Sequence, residues 1–184
     1  MKLYMDNIAL NDIQKGMTGI TPIEGANLLE NFVAIMHTCK HVSPTKMTMQ
    51  GMIDDSCCIE WEDTYTQQMA NTYADTQDAT ERAGVCISVL LTKALTGYTV
   101  IQRSWKGTGC DYFLGDDSSE WFDIKARLEV SAIYKENSSN NIRQRFVQKC
   151  KQVEKTDDMG IPAYISVIAF DSPKAYFDIK KNYE

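Results

Sequence analysis

Hydrophobic residues recur at helical spacing in residues 22–40 and then alternate with polar residues in residues 45–62. Pro22 suits the first turn of a helix, because its fixed φ matches the helix and a free N–H is not needed there. We therefore predict a helix followed by two strands that form a hairpin. Residues 65–76 are mostly polar with a narrow apolar stripe, which predicts a short exposed helix.

A longer helix is predicted to begin at Asp78, whose carboxylate can cap the helix start while Glu81, three residues later, reaches back to it. The apolar run that follows ends at Gly97, a residue suited to the left-handed conformation after a helix. Short apolar or alternating runs then predict the remaining elements. These are strands over residues 98–103, 110–114 and 124–133, a helix over residues 140–156 and an interior strand over residues 163–170.

The predicted order after residue 76 is helix, strand, strand, strand, helix, strand. Helices placed between strands in this way cover both faces of one sheet. We therefore predict an α/β fold with a mixed central β-sheet flanked by helices. Residues 1–75 are predicted to form an N-terminal helix-plus-hairpin extension packed on a core domain of residues 76–184.

Composition narrows the classes of function. The chain has 184 residues, 43% of them hydrophobic, and a formal charge of -6 at pH 7. This acidic balance excludes nucleic-acid binding over a wholly basic surface but leaves room for a local basic groove. No run of about 18 apolar residues occurs, and residues 1–6 begin no long apolar region, so we expect neither a membrane span nor a signal peptide. The six Cys form no C-x-x-C pair and only two His accompany them, which favours a reduced, cytoplasmic protein without structural zinc.

The most informative pattern is the alternation over residues 125–133. In a strand, this alternation puts every second residue from Lys125 to Ser131, Glu129 included, on a polar face and the intervening apolar residues on a core face. Asp111 begins the preceding predicted strand, after a turn with two glycines. Mg²⁺ takes oxygen ligands and usually only one or two carboxylates, so carboxylates on neighbouring strands suit it. We predict that Asp111 and Glu129 hold a divalent metal.

This arrangement resembles the restriction-endonuclease-like, or PD-(D/E)xK, nuclease superfamily over about residues 79–170. Gly-x-Asp on the second strand supplies Asp111, and Glu-x-Ser on the third strand supplies Glu129 and Ser131. The motifs GTGxDY and ARLEVS are also similar to those of an uncharacterised bacterial family. The resemblance implies a nuclease that uses Mg²⁺ or Mn²⁺ to hydrolyse phosphodiester bonds of DNA or RNA, with Glu81 also at the metal site. Our leading hypothesis places it in a mobile-element or defence context.

The superfamily usually has Lys where this chain has Ser131, and a hydroxyl supplies no positive charge. Lys125 lies on the same predicted face but about 13 Å from Glu129 at ~3.3 Å per residue, so only a folded-back side chain would approach. In some members of the superfamily the Lys lies on the following helix instead. Residues of that helix at spacings of three, four and seven form one polar stripe, in which Lys149 is the preferred candidate. The stripe consists of Arg145, Gln148, Lys149 and Gln152.

Residues 142–155 carry five basic side chains against the single acidic Glu154, in an otherwise acidic chain. Lys and Arg bind phosphate oxygens, and Arg does so with a forked pair of donors. We therefore predict a nucleic-acid groove formed by this helix, the turn before the second strand and the third strand. Its predicted contacts are Lys106, Arg127, Arg145, Gln148, Lys151 and Gln152.

Simpler interpretations stand beside each of these roles. Asp111 can cap a loop, and Glu81 can cap a helix. Glu129 can pair with Arg127 on an exposed strand face, and the helix stripe can be a solvated surface. The chain is then a catalytically inactive nuclease-like module that binds nucleic acid or a protein partner. A third alternative is an interaction protein whose N-terminal hairpin pairs with a second copy.

Overall fold

The computed structural model describes residues 7–117 and 123–181, so the prediction of no signal peptide concerns residues 1–6, outside these ranges. Within these ranges, no helix combines the length and apolar character needed to cross a membrane. The helices are α1 (Pro22–Thr38), α2 (Gln67–Thr72), α3 (Thr76–Thr96) and α4 (Ile142–Gln152), with 3-10 helices at Leu10–Lys15 and Val153–Met159. The strands are β1 (Ile8–Ala9), β2 (Thr45–Gly51), β3 (Asp55–Glu60), β4 (Thr99–Arg103), β5 (Tyr112–Gly115), β6 (Ala126–Ile133), β7 (Ala163–Ala169) and β8 (Lys174–Ile179).

The described strands form one eight-stranded sheet in the order β1-β3-β2-β8-β7-β6-β5-β4. The sheet is mixed, because β6 pairs with β7 in parallel whereas β4, β5 and β6 pair in antiparallel fashion. The predicted hairpin, β2 and β3, joins this sheet through a parallel pairing of β2 with β8. It therefore extends the central sheet instead of forming a separate layer. The division into an extension and a core at residue 75 stays a prediction.

Helices cover both faces of the sheet. α1 packs on α3 and α3 packs on β6 and β7, whereas α4 packs on β7, β8 and β6. The close approach of α3 requires Gly84, because a Cβ there would lie 2.6 Å from the Cβ of Ala132 on β6. The two larger apolar clusters of the described residues contain Leu128 and Val167, respectively. The predicted α/β fold, a mixed sheet flanked by helices, is confirmed.

Helix boundaries follow local capping signals. Pro22 stands in the first turn of α1, as predicted, and Thr21 caps it. The predicted start of α3 is wrong, because the carboxylate of Asp75, not that of Asp78, accepts the first backbone N–H groups. Gly97 ends α3 in the left-handed conformation, as predicted.

The prediction leaves out β1 and β8. Ala175 and Phe177 of β8 are buried and alternate with less buried neighbours, which is the pattern of a strand with one core face. The predicted helix over residues 140–156 is present, but α4 ends at Gln152 and continues as a 3-10 helix until Gly160 closes it in the left-handed conformation.

β6 differs from its prediction in a way that determines the nature of the site. Its apolar face lies in the core, as predicted, and packs on α3. The opposite face, which includes Glu129, is also buried, because α4 covers it. The buried polar groups on that face therefore contact α4 or the segment that follows it.

Candidate active site

The antiparallel register of β5 and β6 brings the two predicted metal ligands together. Tyr112 lies opposite Leu128. Continuing this register by one residue places Asp111 beside Glu129, in the position of a cross-strand neighbour. The N–H of Asp111 donates to the carbonyl of Leu128 (2.9 Å), and its Oδ2 accepts from the N–H of Val130 (2.8 Å). These two hydrogen bonds fix the Asp111 carboxylate against the middle of β6.

Glu129 is buried next to Asp111, with 1% of its surface exposed. Its Oε1 accepts hydrogen bonds from Lys149 Nζ (2.6 Å) and Gln152 Nε2 (2.8 Å) on α4. Its Oε2 is also buried, and no described residue donates a hydrogen bond to it. Burial raises the pKa of Glu129 to about 7, with the charge of Asp111 acting in the same direction and Lys149 opposing both. The site thus holds two carboxyl groups together and leaves one oxygen available to a further ligand.

Asp111 and Glu129 fit a divalent cation of the Mg²⁺ type. A cation offsets the repulsion between neighbouring carboxylates and offers a partner to the buried Oε2. Mg²⁺ usually keeps several waters beside one or two carboxylates, and Mn²⁺ accepts the same kind of oxygen ligand. Within residues 7–117 and 123–181, no group of three or more His, Cys, Asp or Glu side chains is arranged to hold a metal. A metal bound here would therefore take its carboxylates, as far as the described ranges go, from this pair.

α4 brings positive charge to the place where the superfamily pattern has Lys. Ser131 accepts a hydrogen bond from Arg145 Nη1 (3.2 Å). Lys149, bonded to the buried carboxyl of the pair, also donates to Gln152 Oε1 (3.0 Å). Residues three and four apart share one helix face, and three members of the predicted stripe contact β6 in this way. The fourth, Gln148, is exposed.

Two clefts meet at Asp111. The first, which we call the helix cleft, has a volume of about 300 Å³, and its lining includes Asp78, Glu81, Arg82, Asp111, Arg145 and Lys149. The second, the loop cleft, has a volume of about 430 Å³, and its lining includes Arg103, Trp105, Lys106, Asp111, Glu129 and Gln152. The carboxylate pair is therefore accessible from clefts although Glu129 itself is buried.

One face of α3 forms a wall of the helix cleft. Asp78, Glu81, Arg82 and Val85 follow spacings of three, four and seven and all line this cleft. Glu81 is exposed and accepts a long hydrogen bond from Gln77 Nε2 (3.4 Å). Sequence reading misses Asp78 as a cleft residue because it assigns Asp78 to the cap, and it overlooks Arg82. Asp78 lies three residues before Glu81 and four before Arg82, so helical spacing is the signal that would have identified both.

Arg127 is buried and not exposed in a groove, which corrects its predicted nucleic-acid contact. It is 2% exposed, and its two terminal nitrogens donate to four acceptors in the segment after α4. The acceptors are the carbonyls of Val153 and Ile161, the hydroxyl of Thr156 (2.5 Å) and the carboxylate of Asp157 (3.3 Å). Its Nε has no acceptor among the described residues. Arg127 thus ties β6 to the segment that follows α4.

The other predicted nucleic-acid contacts differ in position. Lys106 is exposed and lines the loop cleft together with Gln152, and Arg145 lines the helix cleft. Gln148 and Lys151 are exposed on α4, and neither belongs to the described residues that line the two clefts. Of the predicted contacts, Lys106, Gln152 and Arg145 are therefore those that line a cleft.

The loop of residues 104–109 is tied to the end of α4. Thr156 Oγ1 donates to the carbonyl of Thr108 (2.8 Å). Gly109 has a φ of +73°, and a Cβ there would lie 2.7 Å from the carbonyl oxygen of Gln152. Both the conformation and the close approach exclude a side chain at this position. The loop therefore packs directly against the helix that supplies Lys149.

Comparison of the chain with protein-family models, with curated proteins and with solved structures finds no match. The resemblance to the PD-(D/E)xK superfamily therefore stays a prediction, based on the order of elements and on the positions of Asp111 and Glu129.

Proposed function

We propose that this protein is a metal-dependent nuclease of the PD-(D/E)xK type that hydrolyses phosphodiester bonds of DNA or RNA. The observation that carries the proposal is the buried Glu129 carboxyl beside Asp111, with Lys149 bonded to it at 2.6 Å. Two like charges in a buried position are unfavourable, and such pairs with shifted pKa values concentrate at functional sites. The order α3, β4, β5, β6, α4, β7 supports the same assignment.

Asp111 and Glu129 are the residues that would hold Mg²⁺ or Mn²⁺. When bound, such a cation stabilises negative charge on the phosphate and lowers the pKa of its bound water. Lys149 and Gln152 both bond to Oε1 of Glu129, which keeps Oε2 for the cation. The remaining steps depend on side chains that bind and orient the substrate.

Lys149 supplies the positive charge that Ser131 cannot supply. It is close enough to Glu129 to donate to a phosphate oxygen or to the attacking water at the same site. Arg145 in the helix cleft and Lys106 in the loop cleft hold phosphates on the two sides of the scissile bond. Glu81 contributes a further carboxylate to the wall of the helix cleft.

A second candidate is a catalytically inactive nuclease-like module that binds nucleic acid. The ion pair between Lys149 and Glu129 favours it, because a lysine at 2.6 Å already neutralises one carboxylate of the proposed metal site. In that case the positive charge of Lys149 replaces the cation. The two candidates differ in metal binding, which can be measured directly.

The test is cleavage of single-stranded DNA, duplex DNA and RNA with Mg²⁺ or Mn²⁺, using the full chain and the variants Asp111→Ala and Glu129→Ala. We expect each variant to lose cleavage by roughly a thousandfold, because each removes a metal ligand. Calorimetry with Mn²⁺ should show binding to the full chain and a loss of that binding in both variants. Glu154→Ala is the matched control, since Glu154 is an exposed carboxylate just beyond α4.

Cleavage that persists in both site variants would exclude Asp111 and Glu129 as ligands. An absence of both cleavage and Mn²⁺ binding in the unaltered protein, with nucleic-acid binding retained, would favour the inactive module.

A further inference from the structure

Trp105 lies at the rim of the loop cleft with 62% of its surface exposed. Single apolar residues at a surface are common, but this one lines the same cleft as Asp111 and Glu129. Its chain neighbour Lys106 and the nearby Arg103 are exposed as well and line the same cleft. The rim therefore combines an open indole ring with two cations.

The indole ring is held in a defined position. It packs on Phe113 of β5, with ring centroids 5.3 Å apart and planes at 54°. The carbonyl of Trp105 accepts a hydrogen bond from Thr108 Oγ1 (3.1 Å), and the carbonyl of Thr108 is in turn bonded to Thr156. A ring fixed in advance loses little conformational entropy when a ligand stacks on it.

An aromatic face next to cations is the combination that binds a nucleotide within a strand. The ring stacks on a base, and the cations bind the adjoining phosphates. The loop cleft, at about 430 Å³, falls within the range of roughly 300–1,000 Å³ typical of small-ligand sites.

We propose that Trp105 stacks on an unpaired base of a nucleic-acid strand lying in the loop cleft, so that the preferred substrate is single-stranded or locally unpaired. Arg103 and Lys106 bind the phosphates of that strand. The inference rests on the proposed nuclease function, because a strand that reaches Trp105 continues to Asp111 and Glu129 in the same cleft.

Two observations favour an unpaired strand over a regular duplex. Bases inside a duplex are stacked on one another, and opening a step for an inserted ring is unfavourable. The formal charge of -6 limits the release of counterions that a broad contact with two phosphate backbones needs. A single cleft with two exposed cations suits one strand.

The experiment measures binding in the presence of EDTA, so that no cleavage occurs. Fluorescence anisotropy follows a labelled DNA strand of about 12 nucleotides, an RNA of the same sequence and the corresponding blunt DNA duplex. We expect Trp105→Ala to weaken binding of the preferred single strand about 5- to 150-fold, since stacking is worth roughly 1–3 kcal/mol per base. Trp105→Phe should restore most of this affinity, and the duplex should change less than about twofold by the same argument.

Lys106→Ala provides a second measurement that does not depend on the ring, with Lys46→Ala, an exposed lysine on β2, as its matched control. We expect Lys106→Ala to weaken binding and to lower its salt dependence, whereas Lys46→Ala changes neither. Ile23→Ala, which removes an exposed apolar side chain from α1, is the control for Trp105→Ala.

Unchanged single-strand affinity in Trp105→Ala would overturn the inference, and so would an equal loss for the duplex or an absence of strand binding. Cleavage assays on the same variants separate the two proposals. If binding depends on Trp105 but the protein cleaves nothing, the nuclease proposal is contradicted and the stacking site is supported. If the protein cleaves nucleic acid but its binding does not depend on Trp105, the nuclease proposal is supported and the stacking site is contradicted.

Discussion

Arg127 and Glu129 lie two residues apart on the same face of β6, and both are buried, yet their surroundings differ. The guanidinium of Arg127 has the opposite charge of Asp157 and three neutral oxygens as partners. The carboxyl of Glu129 has one cation, Lys149, but also the like charge of Asp111 next to it. Its Oε2 accepts nothing from the part of the chain that the structure describes.

Burial of a charge is therefore not enough to identify a site. A buried arginine surrounded by acceptors serves packing, because breaking it would leave those acceptors unpaired. A buried carboxyl beside another carboxyl lowers stability unless a proton or a cation offsets the repulsion, and such pairs concentrate at functional sites. Arg127 therefore has a structural role, whereas Glu129 has the features of a chemical site. Variants of each residue test this difference.

The largest expected effect is on folding. Arg127→Met should lower the free energy of unfolding by about 3–5 kcal/mol, because it leaves buried acceptors in the segment after α4 without their donor. Urea denaturation measures the change. Lys125→Met is the matched control, since Lys125 bonds Asp123 in a solvent-accessible pair and such pairs contribute under about 1 kcal/mol. Equal losses for the two variants would contradict the structural role of Arg127.

The next effect is on the reaction. In the proposed nuclease reaction, Lys149→Gln should reduce the rate of cleavage roughly 10²- to 10³-fold with a smaller change in KM, because it removes the charge that we propose acts at the reacting phosphate. Lys151→Gln changes an exposed lysine two residues further along α4 and should have little effect on kcat. Steady-state kinetics distinguish the two. A similar loss of kcat in both variants would mean that α4 contributes only general positive charge.

The smallest effect is a change in how stability depends on pH. The pKa of Glu129 is raised from its ordinary 4.5 to about 7, so the folded protein retains a proton that the unfolded chain has lost. The stabilising contribution is full below pH 4.5 and is lost as pH rises through 7. At about 1.36 kcal/mol per pH unit, the loss approaches roughly 3 kcal/mol at most by pH 8.

Glu129→Gln carries no proton to lose, so its stability should not show this decline. Urea denaturation at pH 5 and pH 8 in EDTA, where no metal stabilises the folded state, gives the comparison with the unaltered protein. Glu154→Gln, at an exposed position, should keep the original pH profile. If Glu129→Gln gave a profile parallel to that of the unaltered protein, the carboxyl of Glu129 would not be the group that titrates.

Sequence patterns predict most helices and strands of this fold, because the periodicity of hydrophobic residues is a local property of the chain. The alternation around Glu129 predicts β6, and the spacing of Arg145, Lys149 and Gln152 predicts the helix face that contacts it. The proximity of Asp111 to Glu129 follows from an antiparallel pair of strands whose register can be continued by one residue. The proximity of Asp111, Glu129 and Lys149 could therefore be predicted in part from the sequences of β5, β6 and α4.

What sequence patterns could not supply are the consequences of tertiary packing. An exposed Arg127 was expected because alternation alone says nothing about what covers the second face of a strand. α4 and the segment after it cover that face, which turns Arg127 into an anchor and shifts the pKa of Glu129.

Gly109 lets the backbone of its loop touch the carbonyl of Gln152, with no side chain between them. The loop that carries Trp105 and the end of α4 that carries Gln152 are thus in direct backbone contact. A displacement at the last turn of α4 would be transmitted to the rim residue as well as to the buried acid. The proposed stacking residue and the buried carboxyl of Glu129 are therefore coupled through this backbone contact.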